Sequence, residues 1–254
     1  MAKVSVCMAA YNGSKFIGQQ IDSILPQLAR DDELIVIDDC STDNTAELVA
    51  NYQDPRIKLI RHATNLGYVK TFQEALRLAS GDYIFISDQD DVWLPGRVAA
   101  MCEELARVDV VATNLSVVGR DGGLRGPYGQ TDWHLRASDS RHHFRNIIGI
   151  YAGNRPYYGS AMAIRREALD TILPFACYMN EQYDLWIAIY ANLARSITHL
   201  DIRSVAHRYH VANDTPERPR FPLLLWTRTR LLLVTAQLYA RILRNRRRNV
   251  NSLV

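Results

Sequence analysis

Over roughly its first 110 residues the chain alternates short apolar runs with segments of helical spacing, and this alternation restricts the fold more than any other feature. Lys3–Met8, Glu33–Ile37, Ile57–Ile60, Tyr83–Ile86 and Val108–Ala112 read as strands. Between them, Phe16–Leu25, Ala46–Tyr52, Val69–Ala79 and Pro95–Arg107 carry apolar residues at helical intervals. The stop and start signals agree: Pro26 follows the first helix, Ser41 to Thr45 supplies capping side chains before the second, and Gly81 closes the third. A continuous apolar run such as Leu34–Ile37 requires cover on both faces of its strand, as in a parallel sheet wound with helices on either side. The expected fold class is therefore α/β, a doubly wound, mainly parallel sheet. Its ligands belong outside the carboxyl ends of the strands.

The length of 254 residues and a 48% hydrophobic composition suit one domain with a large core, or one domain with an appendage. Cys7, Cys40, Cys102 and Cys177 form no CxxC pair and read as buried thiols in a reducing, cytoplasmic setting. No long apolar run follows Lys3, so no signal peptide is expected, and no stretch suggests a transmembrane helix. Charge is uneven: from Arg203 onward eleven arginines face only Asp214 and Glu217. That asymmetry points to an anionic partner for the tail.

Two strands run straight into acid clusters, Leu34–Ile37 into Asp38-Asp39 and Tyr83–Ile86 into Asp88-Gln89-Asp90-Asp91. Carboxylates gathered on one sheet edge repel unless a cation or hydrogen-bond donors offset them. Hard oxygen ligands suit Mn²⁺ or Mg²⁺. The competing reading is that Asp88 and Asp91 only cap the following helix. Neither GxGxxG nor GxxxxGK[ST] is present, so a nucleotide held here would be held through a metal bridging its phosphates.

Residues 4–13 (Val-Ser-Val-Cys-Met-Ala-Ala-Tyr-Asn-Gly), residues 35–45, Asn65-Leu66-Gly67, Ala79 to Ile84 and Ser87 to Pro95 occur in that order. This ordered set resembles family 2 glycosyltransferases of the GT-A fold, in the form seen among bacterial polysaccharide and rhamnosyltransferase-like members. At Cys40 the family often has Gly. The resemblance implies that Ala9, Tyr11 and Asp39 line a nucleoside pocket, continued by Asn65 and Lys70. Asp88 would touch the ribose or the metal's water shell, Gln89 would join the nucleotide-sugar contacts, Asp90 would bind the metal, and Asp91 would brace the loop. Tyr158 to Arg166 resembles the small-residue segment beside the sugar. Glu181-Gln182-Tyr183-Asp184-Leu185-Trp186 resembles the segment carrying the catalytic base, taken here as Asp184; His often precedes that Asp, where this chain has Tyr183. His207 to Asn213 resembles a late Tyr-Arg-x-His segment, and its His210 would approach the metal or diphosphate.

Together these expectations describe an inverting, metal-dependent transfer of a sugar from a nucleoside diphosphate, UDP-hexose or dTDP-rhamnose, to the hydroxyl of a glycan or polyprenyl-diphosphate-linked glycan in O-antigen or other surface polysaccharide synthesis. The catalytic domain is placed at residues 1–215, its nucleotide-sugar half at 1–115 and its acceptor half at 116–215. A basic amphipathic tail follows at 216–254, either lying on an anionic membrane surface at the inner face of the cell membrane or packing on the domain. Arg165 and Arg166 read as solvated or structural. Rival readings are a nucleotide-sugar binder without turnover and a receiver-like phosphoacceptor module. The arginines lie on no recognised nucleic-acid module, so no nucleic-acid partner is expected.

Overall fold

The computed structural model describes residues 2–118, 124–179, 181–208 and 221–251, with side chains of the last segment described for 227–248. Its first half follows the expected alternation: β1 (Val4–Ala10), α1 (Ile17–Ile24), β2 (Glu33–Asp38), α2 (Thr45–Ala50), β3 (Ile57–Arg61), α3 (Tyr68–Leu78), β4 (Tyr83–Asp88), β5 (Val92–Trp93), α4 (Arg97–Leu105) and β6 (Val110–Val117). The second half adds α5 (His143–Tyr151), β7 (Met162–Arg165), α6 (Leu169–Ile172), α7 (Tyr183–Ala194), β8 (Ile197–His207) and α8 (Phe221–Asn251).

The eight strands form one sheet in the order β3-β2-β1-β4-β7-β6-β8-β5. β1 pairs in parallel with β2 and β4, and β2 with β3. β7 lies antiparallel between β4 and β6, β8 is parallel to β6, and β5 is antiparallel to β8. Mainly parallel pairing therefore holds, with β7 and β5 reversed.

Alternate residues of the central strands feed two cores. Val6, Met8, Leu34, Val36 and Phe85 meet Ile17, Ile21 and Ile24 of α1 and Val98 and Met101 of α4 on one face. Cys7, Ile35, Ile37, Ile84 and Ile86 meet Phe72 and Leu76 of α3 and Trp186 and Ile187 of α7 on the other. This double cover is why β2 is buried at every residue and why its sequence shows no polar alternation.

The described part of α8 packs on the domain through one face. Leu231, Val234, Leu238 and Ile242 are buried in the same core as α7. Each stabilises by roughly 2 kcal/mol when fully buried, so α8 is an integral wall rather than a detachable appendage. The expected 215/216 boundary lies outside the described residues. No helix among the described residues is long and apolar enough to cross a membrane. The four cysteines are unpaired, but only Cys7 is buried; Cys40 and Cys102 are partly exposed and Cys177 is exposed, correcting the expectation of four buried thiols.

Candidate active site

The register of β1 brings three candidate positions into line. Ala9 pairs with Ile37 of β2 and with Asp88 of β4, so the strands deliver Tyr11, Asp39 and the Asp88–Asp91 loop to one edge. Tyr11, just past β1, is 46% exposed, which places it at the cleft surface rather than in the core. Its backbone is gripped by Gln89: the Tyr11 N–H donates to Oε1 at 2.9 Å, and Nε2 donates to the Tyr11 carbonyl at 2.9 Å. Gln89 thus fixes the β1 loop against the acidic loop. Gly13 makes this possible, since a Cβ there would lie 2.0 Å from Gln89 Oε1.

Asp39 is nearly fully buried, and its carboxylate organises the next loop. It accepts the backbone N–H of Leu66 and of Gly67, each at 2.8 Å, and Nδ1 of His62 donates to it at 2.7 Å. Burial pushes the Asp39 carboxyl up, but these hydrogen bonds outweigh it and hold its pKa below the usual carboxylate range. The Asn65-Leu66-Gly67 turn is therefore fastened to β2, with Gly67 at φ +83° before α3. Asn65 and Lys70 are both exposed beside it. Cys40 sits at φ +64°, in the left-handed region where a side chain is strained.

The acidic loop is compressed. Burial first, then the charges of Asp91 and Asp90, push the Asp88 carboxyl well above its ordinary value, while His207 and a hydrogen bond with Ser160 pull against them. Asp88 and Asp90 are half-buried, and Asp91 is buried. The Val92↔Ala206 pairing of β5 with β8 sets His207 beside Asp91, and Nδ1 of His207 donates to Oδ1 of Asp91 at 2.8 Å. This bond ties the acidic loop to the end of β8. His207 is a site residue that the sequence reading missed; the signal was its place at the head of the segment from which His210 was chosen. His210 lies outside the described residues. Arg208 leans over the Phe16 ring at 5.1 Å and donates to the Asp90 carbonyl at 3.3 Å, so the late segment does begin at the acidic loop.

Behind the loop, Arg97 is buried to 1% exposure. Its guanidinium stacks 4.6 Å from the Trp93 ring centroid and donates to Ser204 Oγ and to the Ser160 carbonyl. Burial lowers the Arg97 pKa to about 9, opposed by the charge of Asp91. A guanidinium still charged at neutral pH thus lies within electrostatic reach of Asp91. Arg165 and Arg166 are structural: they donate to the carbonyl of Leu105 and to those of Ala79 and Gly81.

Asp184 occupies the first turn of α7, after Gln182 at φ +61°. Its Oδ1 accepts the Leu185 N–H at 2.8 Å. Burial pushes its carboxyl up to about 6, although that hydrogen bond opposes the rise. Tyr183, next to Asp184, packs edge-on against Tyr68, their ring centroids 6.1 Å apart. The Tyr68 hydroxyl is raised to about 12 by burial and by the charges of Asp184, Glu181 and Asp88. One tyrosine thus lies within electrostatic reach of both carboxylate groups. Tyr183 is packed against Phe72 and Phe175, and its hydroxyl approaches Gly159 so closely that a Cβ there would lie 2.2 Å away.

Residues 5–173 match the profile of the family described as glycosyl transferase family 2. The chain belongs to that family. Membership sets the receiver-like reading aside. The transferase is 39% identical over 199 residues to a Bacillus subtilis (strain 168) protein assigned provisionally as the glycosyltransferase EpsE, covering 74% of this chain and 66% of that one. It is 32% identical over 125 residues to Escherichia coli WfgD, a UDP-Glc:alpha-D-GlcNAc-diphosphoundecaprenol beta-1,3-glucosyltransferase, covering 46% of this chain and 49% of that one. The transferase therefore spans about half to two thirds of the length of these curated relatives. Among solved structures, S. aureus TarS 1-349 in complex with UDP-GlcNAc superposes with a TM-score of 0.70 at 22% identity, covering 92% of this chain and 66% of that one. Glucosyl-3-phosphoglycerate synthase from Mycobacterium tuberculosis, in complex with Mn²⁺, UDP and glucosyl-3-phosphoglycerate, gives 0.56 at 23% identity, covering 94% and 80%. These likenesses establish the GT-A fold of the transferase.

Proposed function

We propose that this family 2 transferase moves a hexosyl or rhamnosyl group, with inversion, from UDP or dTDP to a hydroxyl of a glycan carried on polyprenyl diphosphate. The setting is surface polysaccharide or O-antigen synthesis at the cytoplasmic face of the membrane. The observation that carries the reading is a pair of carboxylate groups, suited to different tasks, that both act on Tyr68. The Asp88–Asp91 loop lies at the carboxyl end of β4, and the charges of Asp88 and Asp184 both raise the Tyr68 hydroxyl.

On this reading Ala9, Tyr11, Asp39, Asn65 and Lys70 line the nucleoside pocket, with Asp39 shaping it through the Leu66–Gly67 turn. Asp88 and Gln89 border the diphosphate side. Asp184 takes the proton from the acceptor hydroxyl as it attacks opposite the leaving group; a base pushed up to about 6 by burial is strong enough to accept a proton and still ionised near neutrality. A WfgD-like acceptor would present a sugar hydroxyl on a lipid diphosphate.

The crowded, hard-oxygen acidic loop suits a divalent cation, because its carboxylates repel one another and Asp91 Oδ2 has no hydrogen-bond partner among the described residues. Asp90 would hold Mn²⁺ or Mg²⁺, with Asp88 in the water shell. No three His, Cys, Asp or Glu side chains among the described residues converge to hold a metal alone, so the donor's diphosphate oxygens would complete the ligands, joined on this reading by His210. When bound, the cation supplies charge that offsets the departing diphosphate.

The test is a donor panel with Mn²⁺ by thermal shift, then turnover. UDP or dTDP should raise the melting temperature more than purine nucleotides do. Asp184→Asn should abolish transfer while leaving that shift intact. A wild-type protein that binds UDP and never transfers would instead be a nucleotide-sugar binder.

A further inference from the structure

α8 has two apolar faces, and the domain uses only one. Leu231, Val234, Leu238 and Ile242 point into the core. On the opposite side Leu232 is 60% exposed, Leu233 54%, Tyr239 54% and Leu243 38%, with exposed Ala236 and Ala240 between them. Residues 231–240 carry no charge. At one end of this stripe Arg244, Arg246, Arg247 and Arg248 are all exposed, and α8 contains no acidic residue. A helix face serving only solvent would carry charges along its length. This one segregates apolar contact from positive charge.

The adjoining helix continues the pattern. Phe144 is 77% and Ile148 53% exposed on α5. One turn on, the Tyr151 hydroxyl donates to the Leu231 carbonyl at 2.9 Å, fastening α5 to α8. α5 also lacks an acidic residue, and Arg141 and Arg145 beside Phe144 are exposed.

We propose that the outward face of α8, together with the Phe144–Ile148 face of α5, docks the protein on an anionic lipid bilayer. Charge complementarity selects this occupant. The apolar stripe enters the acyl boundary, and the arginines meet lipid phosphates at the surface. With no helix fit to span a bilayer among the described residues, the mode is lying on the membrane, not crossing it. The inference rests on the lipid-linked acceptor reading for its purpose: both helices pack against α7, which bears Asp184, so docking would bring the cleft to a membrane-borne acceptor.

The test is flotation of the full chain with phosphatidylglycerol-rich vesicles and with phosphatidylcholine vesicles. Wild type should float about tenfold more with the anionic vesicles, less so at high salt. Leu232→Glu with Tyr239→Glu, and separately glutamine at 244, 246, 247 and 248, should each cut flotation about tenfold with an unchanged melting temperature and UDP shift. Flotation equal to wild type in both variants, or no flotation of wild type, overturns the proposal. So does sedimentation showing a dimer that Leu232→Glu with Tyr239→Glu disperses, which would assign the face to a second copy. Flotation reads binding and not transfer, so it fails or succeeds independently of the catalytic reading.

Discussion

His207 donates through Nδ1 to Asp91 at 2.8 Å, joining the end of β8 to the loop after β4 across 116 residues of chain. Asp91 is 1% exposed, and its second oxygen has no hydrogen-bond partner among the described residues. The imidazole is therefore what compensates this carboxylate directly, with Arg97 acting at longer range. His207→Phe should destabilise the fold by about 3 kcal/mol, because a buried charge is left without its partner. Asp91→Asn in that background should recover a large part of the loss. Urea unfolding of the two single variants and the double variant measures the coupling; additive losses would mean that the pair contributes nothing jointly.

Asp184, proposed as the base, should set the acid limb of turnover. Burial holds its carboxyl at about 6, and only the ionised form accepts a proton. kcat/KM should therefore be flat above roughly pH 6.5 and fall about tenfold per unit well below pH 6. UDP affinity should not share that limb. A profile flat down to pH 5 would show that another group is the base.

Gly159 and Tyr183 form a close backbone-to-hydroxyl contact that leaves no room for a side chain. Gly159→Ala puts a methyl 2.2 Å from the hydroxyl and 2.7 Å from the ring carbon bearing it. Since Tyr183 is wedged by Phe72 and Phe175, the strain should pass along α7 to Asp184. Transfer should drop by about 10²-fold, as small misplacements of catalytic groups do. Tyr183→Phe in the Gly159→Ala background should restore part of the rate by removing the clashing oxygen, and steady-state kinetics of both variants would read it.

The parallel half of the fold was legible because its central strands are buried on both faces, so Leu34–Ile37 appears as an unbroken apolar run. β8 was not, for its exposed stretch Asp201–Arg203 interrupts any such run. β5 is too short to leave a pattern: two residues, whose pairing with β8 nevertheless sets His207 against Asp91. Asp39 and Asp184 could be chosen from local motifs, whereas His62 and Arg97 could not. His62 follows an ordinary edge strand, and Arg97 reads as the solvated start of a helix until Trp93, Ser160 and Ser204 close over it. Contacts made between distant segments leave no periodic trace.

Cys40 offers a test in the direction of gain. Its φ of +64° costs an L side chain about 1 kcal/mol, while a glycine there loses somewhat more freedom on folding. Cys40→Gly should come out stabilising by a few tenths of a kcal/mol and leave the Asp39 loop in place. A melting temperature below wild type would show that the Cys40 thiol, 3.7 Å from the Ala63 carbonyl, contributes more than its backbone strain costs.

The His62 pair gives the protein a pH signature apart from catalysis. His62 is buried between Asp39 at 2.7 Å and Glu74 at 3.1 Å. Burial pushes its pKa down, but the hydrogen bonds and charges of those two carboxylates outweigh it and leave the value raised. A raised histidine stabilises fully below its unfolded value of about 6.5, and that contribution is lost as pH rises through the folded value. Asp39 is shifted the other way, so its contribution is complete above about pH 3.9 and lost as pH falls through its folded value. The pair should therefore support the Leu66–Gly67 turn best between about pH 4 and 6.5 and progressively less above neutrality. The melting-temperature gap between wild type and His62→Gln should be widest in that window and narrow by pH 9. In Asp39→Asn, NMR titration of His62 should give a lower pKa than in wild type. An unchanged His62 pKa in that variant would show that Glu74 alone holds the imidazolium.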